Sequence, residues 1–263
     1  MRPAYFAALA LVVIVGVIWF GSGFHHIGTP PDPNDPDQSG LMTPEVVRHI
    51  VSGYSDALLT RMPRDEAGNV NDADFKRNLA QATNSLLAKV KMIRMNQTNA
   101  WEYGDIFITA QRWQDARNAE EEAIKSPKNE DRRINDTLRL ARCMAELGDV
   151  PDAVKTARST FNAADTDTVP VLTATLLEIV PAAEDKGDPL ELAELLEGAI
   201  QCEMRTRVNG TTDAGRDFLV ARKYHVDHAW QKIIQLYERA GKTDLARAAL
   251  KRAMEMERTE GAA

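Results

Sequence analysis

The chain has 263 residues, of which 44% are hydrophobic, 27% charged and 6% aromatic, ordinary usage for one large or two small globular domains. Arg2 is the only charged side chain before residue 26, so of the net charge of −7 the remainder carries −8, from 31 basic and 39 acidic residues. A body this acidic is poorly matched to phosphate backbones or anionic lipid heads, which excludes nucleic acid as the expected partner; apolar mass supplied by alanine, leucine and valine favours packed helices over a β-sandwich.

The first element is AYFAALALVVIVGVIWF, residues 4–20, a run without charge. As a helix rising ~1.5 Å per residue it would span about 25 Å, with Tyr5 at one end and Trp19 and Phe20 at the other, where amphipathic rings favour the headgroup level. Arg2 precedes it, so the N-terminus is expected in the cytoplasm and the body outside it, in a bacterial periplasm or envelope. Residues 1–25 are read as an uncleaved single-pass anchor. A cleaved signal peptide is the rival, with Gly21-Ser22-Gly23 as the small-residue stretch, but the apolar run is long for a signal core and no A-x-A follows it. Residues 26–42 are a linker: Pro30, Pro31, Pro33 and Pro36 cannot join a helix ladder, and at ~3.1 Å per residue the tether would reach up to roughly 60 Å.

An antiparallel helix pair is predicted over 43–96. Thr43-Pro44 is a helix start, and Val47, Ile50, Tyr54 and Leu58 step along one face. Pro63 stops that helix, residues 64–74 are a polar loop, and Phe75, Leu79, Ala82, Leu86, Val90 and Ile93 form the next stripe.

From residue 97 the chain repeats. In AWQKIIQLYERAGKTDLARAALKRA, residues 229–253, Trp230, Ile233, Ile234 and Tyr237 lie together on one short helix, and Ala246, Leu250 and Ala253 on a second, joined at Gly241. Large residues on the first helix need a flat surface opposite, which alanines provide by letting the second backbone approach, and glycine allows the tight turn. This resembles the tetratricopeptide repeat, W-x2-L-G-x2-Y followed by A-x3-F, departing at Ile234 and at the missing terminal proline. Three earlier segments resemble the same unit. In 97–127 the matching residues are Tyr103-Gly104, Phe107, Ala116, Ala123 and Pro127, with Trp101 displaced by one. In 134–163 they are Leu140-Ala141, Met144, Gly148 and Ala153. In 173–204 they are Gly187, Leu196 and Ala199, with Pro181 in a helix interior, a potential kink, and Leu192 replacing alanine. Ala116, Ala153, Leu192 and Ala246 are taken as equivalent positions. A polar loop, 206–217, precedes a long last first-helix starting near Arg216, on which Phe218, Tyr224 and Trp230 are expected to be buried. The fold expected is therefore all-α: a tetratricopeptide-like α-solenoid of four helical hairpins over 97–258, after the anchor, linker and helix pair, with a disordered tail at 259–263.

Motifs for chemistry are weak. Gly241-Lys242-Thr243 looks like the end of a phosphate loop, but Leu236 stands where its first glycine belongs. His225 and His228, three apart on a helix, lack an obvious third ligand, so no metal site is assigned. Cys143 and Cys202 read as buried thiols, with a disulfide open if the body is exported. Asn96, Asn135 and Asn209 start glycosylation-like triplets that read as chance. No nucleophile, zinc-protease or paired-carboxylate motif appears, so no catalytic, cofactor or metal residues are assigned and an enzyme is not expected.

The resemblance implies a concave groove lined by first helices. Asn135, Arg139 and Arg142, at i, i+4 and i+7, share one face and could hold a carboxylate; Gln231, Gln235 and Glu238 would line the groove's far end. The expected function is a membrane-tethered protein–protein interaction scaffold binding a protein or peptide partner, acting in envelope protein translocation or assembly. Two alternatives stand beside it: a homo-oligomeric scaffold joined through the third hairpin and the 206–217 loop, and an enzyme or small-ligand receptor with a pocket between the helix pair and the repeats.

Overall fold

The computed structural model describes residues 40–66, 68–127, 130–161, 172–205, 208 and 210–260. The predicted anchor and nearly all of the predicted linker lie outside the described residues. These residues are all-α. They form helices α1 Pro44–Arg61, α2 Asp72–Leu87, α3 Ala100–Thr109, α4 Trp113–Ala123, α5 Glu130–Leu147, α6 Val150–Arg158, α7 Leu172–Ala183, α8 Pro189–Arg205, α9 Asp213–Arg239 and α10 Thr243–Glu260. Among them no helix is long and apolar enough to cross a membrane. α10 extends through 259–260, the start of the expected tail.

The chain divides into two compact units after Pro127. The first hairpin of the predicted repeat series, α3/α4, therefore groups with α1 and α2. α1 begins with Thr43 capping the Val46 amide and proline in the first turn, as the dipeptide predicts. It packs on α2 and α3, burying Val47 and Val51 against Leu86 and Ile106. α2 stops at Leu87, short of the predicted stripe. Val90 and Ile93 lie on a segment that pairs with Met42, through Met42 N–H to Lys91 O at 2.8 Å and Ile93 N–H to Met42 O at 3.0 Å. The alternation of Lys89, Val90, Lys91 and Met92 suits extended backbone better than helix. Arg48 of α1 pairs with Asp105 of α3 at 3.0 Å and lies over the Trp101 ring.

Three hairpins turn in the same way. Gln111, Gly148 and Gly241 have φ of 55°, 92° and 69°. After each, the next amide donates to the carbonyl five residues back: Arg112 to Phe107 at 2.8 Å, Asp149 to Met144 at 2.9 Å and Lys242 to Tyr237 at 2.8 Å. This is the Schellman closure, which satisfies carbonyls left open at a helix end and reverses the chain. The carbonyls of Arg112, Asp149 and Lys242 then accept from Ala116, Ala153 and Ala246, and Asp188 accepts from Leu192. The four residues aligned by sequence thus make the same hydrogen bond in four helix starts. The third hairpin turns differently. α7 runs through Pro181, which offers no amide to the ladder, and ends two residues later. Gly187 and Lys186 both donate to Ala183, and the Asp188 side chain caps Leu190.

The second unit holds hairpins α5/α6, α7/α8 and α9/α10. α7 packs on α5 and on α9, so the first helices lie side by side, and α8 packs on α6. Leu138, Leu176, Leu196 and Ile233 belong to its core, with Ala153, Ala199 and Ala249 where backbones approach. α9 starts at Asp213, capped by Thr212, slightly before the predicted Arg216. On α10 the buried line runs through Ala246 and Ala249 while Leu250 is half exposed. The predicted grouping of Leu250 with Ala246 and Ala253 is corrected accordingly: α9 approaches from the Ala249 side, and Leu250 falls on the other flank.

Candidate functional site

The six residues predicted to line a groove separate into two groups with different character. On α5, Asp136 is buried and accepts from Arg132 at 3.2 Å and from Arg139 at 3.3 Å. Arg142 pairs with Glu178 of α7, and both side chains are only 16% exposed. The two guanidiniums expected to receive a ligand carboxylate therefore already face carboxylates of the chain itself. Asn135, one turn before Arg139, is half-buried, and its Oδ1 has no hydrogen-bond partner among the described residues. This face of α5 reads as an ion-pair surface joining α5 to α7.

A second set of charges joins α7 to α9. Glu184, just past the end of α7, accepts from Lys232 at 2.5 Å and Arg239 at 3.2 Å. Behind it, Glu197 of α8 receives a bidentate pair from Arg252 of α10, at 2.8 Å for each bond, and the Tyr237 hydroxyl at 3.0 Å. Burial and the Glu197 carboxylate together push the Tyr237 phenol up to about 12, because both disfavour a phenolate there. Arg252 also lies 5.4 Å from the Trp230 ring centroid. These contacts tie one side of α9 to its neighbours.

The other side of α9 is open. Gln231, Gln235 and Glu238 are all exposed and, at i, i+4 and i+7, form one stripe. The stripe extends back to Tyr224, 36% exposed, and Val220, 57% exposed. Burial of Tyr224 was expected beside Phe218 and Trp230; those two are buried and Tyr224 is not. The reason is angular. At 100° per residue, Val220 and Tyr224 fall with Gln231, about half a turn away from buried Ala229 and Ile233. The helical spacing Val220, Tyr224, Gln231 was the available signal. His228 packs its ring on Tyr224 with centroids 4.0 Å apart, and its Nδ1 lies 2.8 Å from the Tyr224 carbonyl. The surface is thus a 27-residue helix presenting a valine, a tyrosine–histidine stack, two amides and a carboxylate in one line.

His225 belongs elsewhere. It is buried, its Nε2 has no hydrogen-bond partner among the described residues, and burial, with the nearby His228, lowers it to about 4. The two histidines face different surroundings, and no cluster of metal-ligating groups occurs among the described residues. Glu203 of α8 is also buried. Its Oε2 accepts from the Thr173 amide at 3.0 Å and from the Thr173 hydroxyl, so it caps the start of α7 from a neighbouring helix. Burial raises it to about 7, against the opposing pull of the Thr173 hydrogen bonds and Arg222. Cys143 and Cys202 are both buried and are not joined in a disulfide, and the Cys202 thiol donates to the Phe161 carbonyl at 3.2 Å. Asn96 accepts from Thr98 and Asn99 in a local turn, and Asn135 lies within α5.

Comparison of the chain with family models, with curated proteins and with solved structures gives no match.

Proposed function

We propose that this chain is a non-enzymatic interaction scaffold whose C-terminal hairpins form a tetratricopeptide-like stack, and that the exposed stripe of α9 receives a polypeptide. The single observation that carries this is the uncovered line Val220, Tyr224, Gln231, Gln235 and Glu238 on a helix held firmly from behind. Amides and a tyrosine hydroxyl can pair with main-chain groups of an extended or helical segment, while Tyr224 and Val220 offer apolar contact. The shared turn closures and first-helix packing support the repeat reading, because they build the side-by-side surface that the resemblance implies. The partner face is therefore centred on α9, with Arg139 and Arg142 of α5 acting in the framework. The apolar run at residues 4–20 supports a tether to a membrane, which would hold the partner at the extracytoplasmic face.

The test is a photo-reactive residue placed at Gln235 in the full-length chain in its native membrane. Capture of one discrete polypeptide, lost when Tyr224→Ala and Gln231→Ala are added, is the expected result. Identical labelling with and without those substitutions would remove the proposal.

A further inference from the structure

The second helices of the last two hairpins are unequally held. α8 has 17 residues and buries eight of them, Leu192, Leu195, Leu196 and Ile200 included. α10 has 18 residues, yet among its described residues only Ala246 and Ala249 are buried, with Ala253 and Met256 partly so. Burial stabilises in proportion to the apolar area removed from water, and alanine offers little. What ties α10 to α8 is Arg252, which gives Glu197 two bonds of 2.8 Å and lies 5.4 Å from the Trp230 ring centroid. The turn into α10 is roomy: Gly241 is exposed at φ 69°, with no atom within 4 Å of where a Cβ would stand. α9 has ties of its own, from Tyr237 to Glu197 and from Lys232 and Arg239 to Glu184.

We propose that α10 is a strap that leaves the second unit in one piece, hinged at Gly241 and latched by Arg252. Closed, it sets Arg252 over Trp230 and against Glu197; open, it bares that indole face and that carboxylate while α9 stays in place. A helix attached through small side chains and one ion pair is the kind of element that opens well below the free energy of global unfolding. Once detached, a helix of this length is marginal in water, so its amides lose their protection together. The latch is the adjustable part. Arg252 is 41% exposed and Glu197 12%, so the pair is charge-assisted and bidentate yet within reach of solvent, salt and competing cations. The inference does not rest on the α9 stripe, which faces away from α10.

The test is hydrogen exchange of the full-length chain in detergent, resolved to single amides. Ala248, Ala249, Arg252 and Met254 are expected to share one opening rate, about a hundredfold or more above that of the α8 amides. Arg252→Ala should speed α10 about tenfold and leave α8 unchanged, with Arg252→Lys between the two. A second readout is alkylation of Ala249→Cys, whose position is fully buried when α10 is closed. That thiol should react faster than the native Cys143, which lies fully buried on α5 and reports opening of the core. Ordinary fraying gives a different pattern, with exchange slowing steadily from Met254 inward and Ala249 as protected as α8. That gradient, a common rate for α8 and α10, or an Arg252→Ala effect that is absent or equal in both helices would each overturn the inference.

Discussion

Replacing Gly241 by alanine isolates the turn that closes the last hairpin. Gly241 has φ of 69°, and a Cβ built there meets no atom within 4 Å, so the substitution adds no clash. What remains is the left-handed backbone, which costs an L-residue about 1–2 kcal/mol. Alanine also restricts the unfolded chain, which recovers about 0.5–1 kcal/mol. The net loss is about 0–1.5 kcal/mol, at roughly a 2–4 °C drop in midpoint per kcal/mol for a chain of this size. The equivalent position in the first unit is Gln111, a non-glycine residue held at φ 55° and exposed. Gln111→Gly should therefore be neutral or stabilising by up to about 1 kcal/mol. Urea titrations followed by circular dichroism measure both. A clearly stabilising Gly241→Ala would refute the left-handed closure, as would a strongly destabilising Gln111→Gly.

Ala246 is buried where α10 meets the core, so Ala246→Leu should overpack the last hairpin and cost about 1–3 kcal/mol; an unchanged melting temperature would contradict the packing. Gly104→Ala should destabilise the first unit by about 1–3 kcal/mol, because a Cβ would lie 2.0 Å from Oε1 of fully buried Glu120; denaturation of this variant checks it. Glu203 stands at about 7 in the fold against an ordinary 4.5, so its contribution is fully present below pH 4.5 and lost as pH rises through 7. Glu203→Gln keeps an acceptor for Thr173 and should flatten that decline, leaving the variant more stable than the parent at pH 8; parallel curves would show that Glu203 does not titrate there.

Much of the architecture was legible in residue spacing, because turns and close packing impose local requirements. Gly148 and Gly241 announced left-handed turns, and Ala116, Ala153, Leu192 and Ala246 gave the register of the second helices. What was hidden depends on neighbours distant in sequence. The α2 stripe could not reveal that Val90 and Ile93 leave the helix to pair beside Met42. Arg142 read as an open cation because Glu178, its partner, stands on the next hairpin. Tyr224 was assigned to the core by residue type when its angular position put it outside. The division after Pro127 likewise arises from packing of α3 on α1 and α2, which no repeat alignment encodes.

The central claim is that the first helices of the second unit, α5, α7 and α9, lie side by side. A double-mutant cycle on Arg142 and Glu178 tests it most directly, since the two residues belong to successive hairpins and meet only if α5 and α7 are neighbours. The account predicts a coupling of about 0.5–3 kcal/mol between Arg142→Ala and Glu178→Ala. Simple additivity of the two substitutions would contradict it.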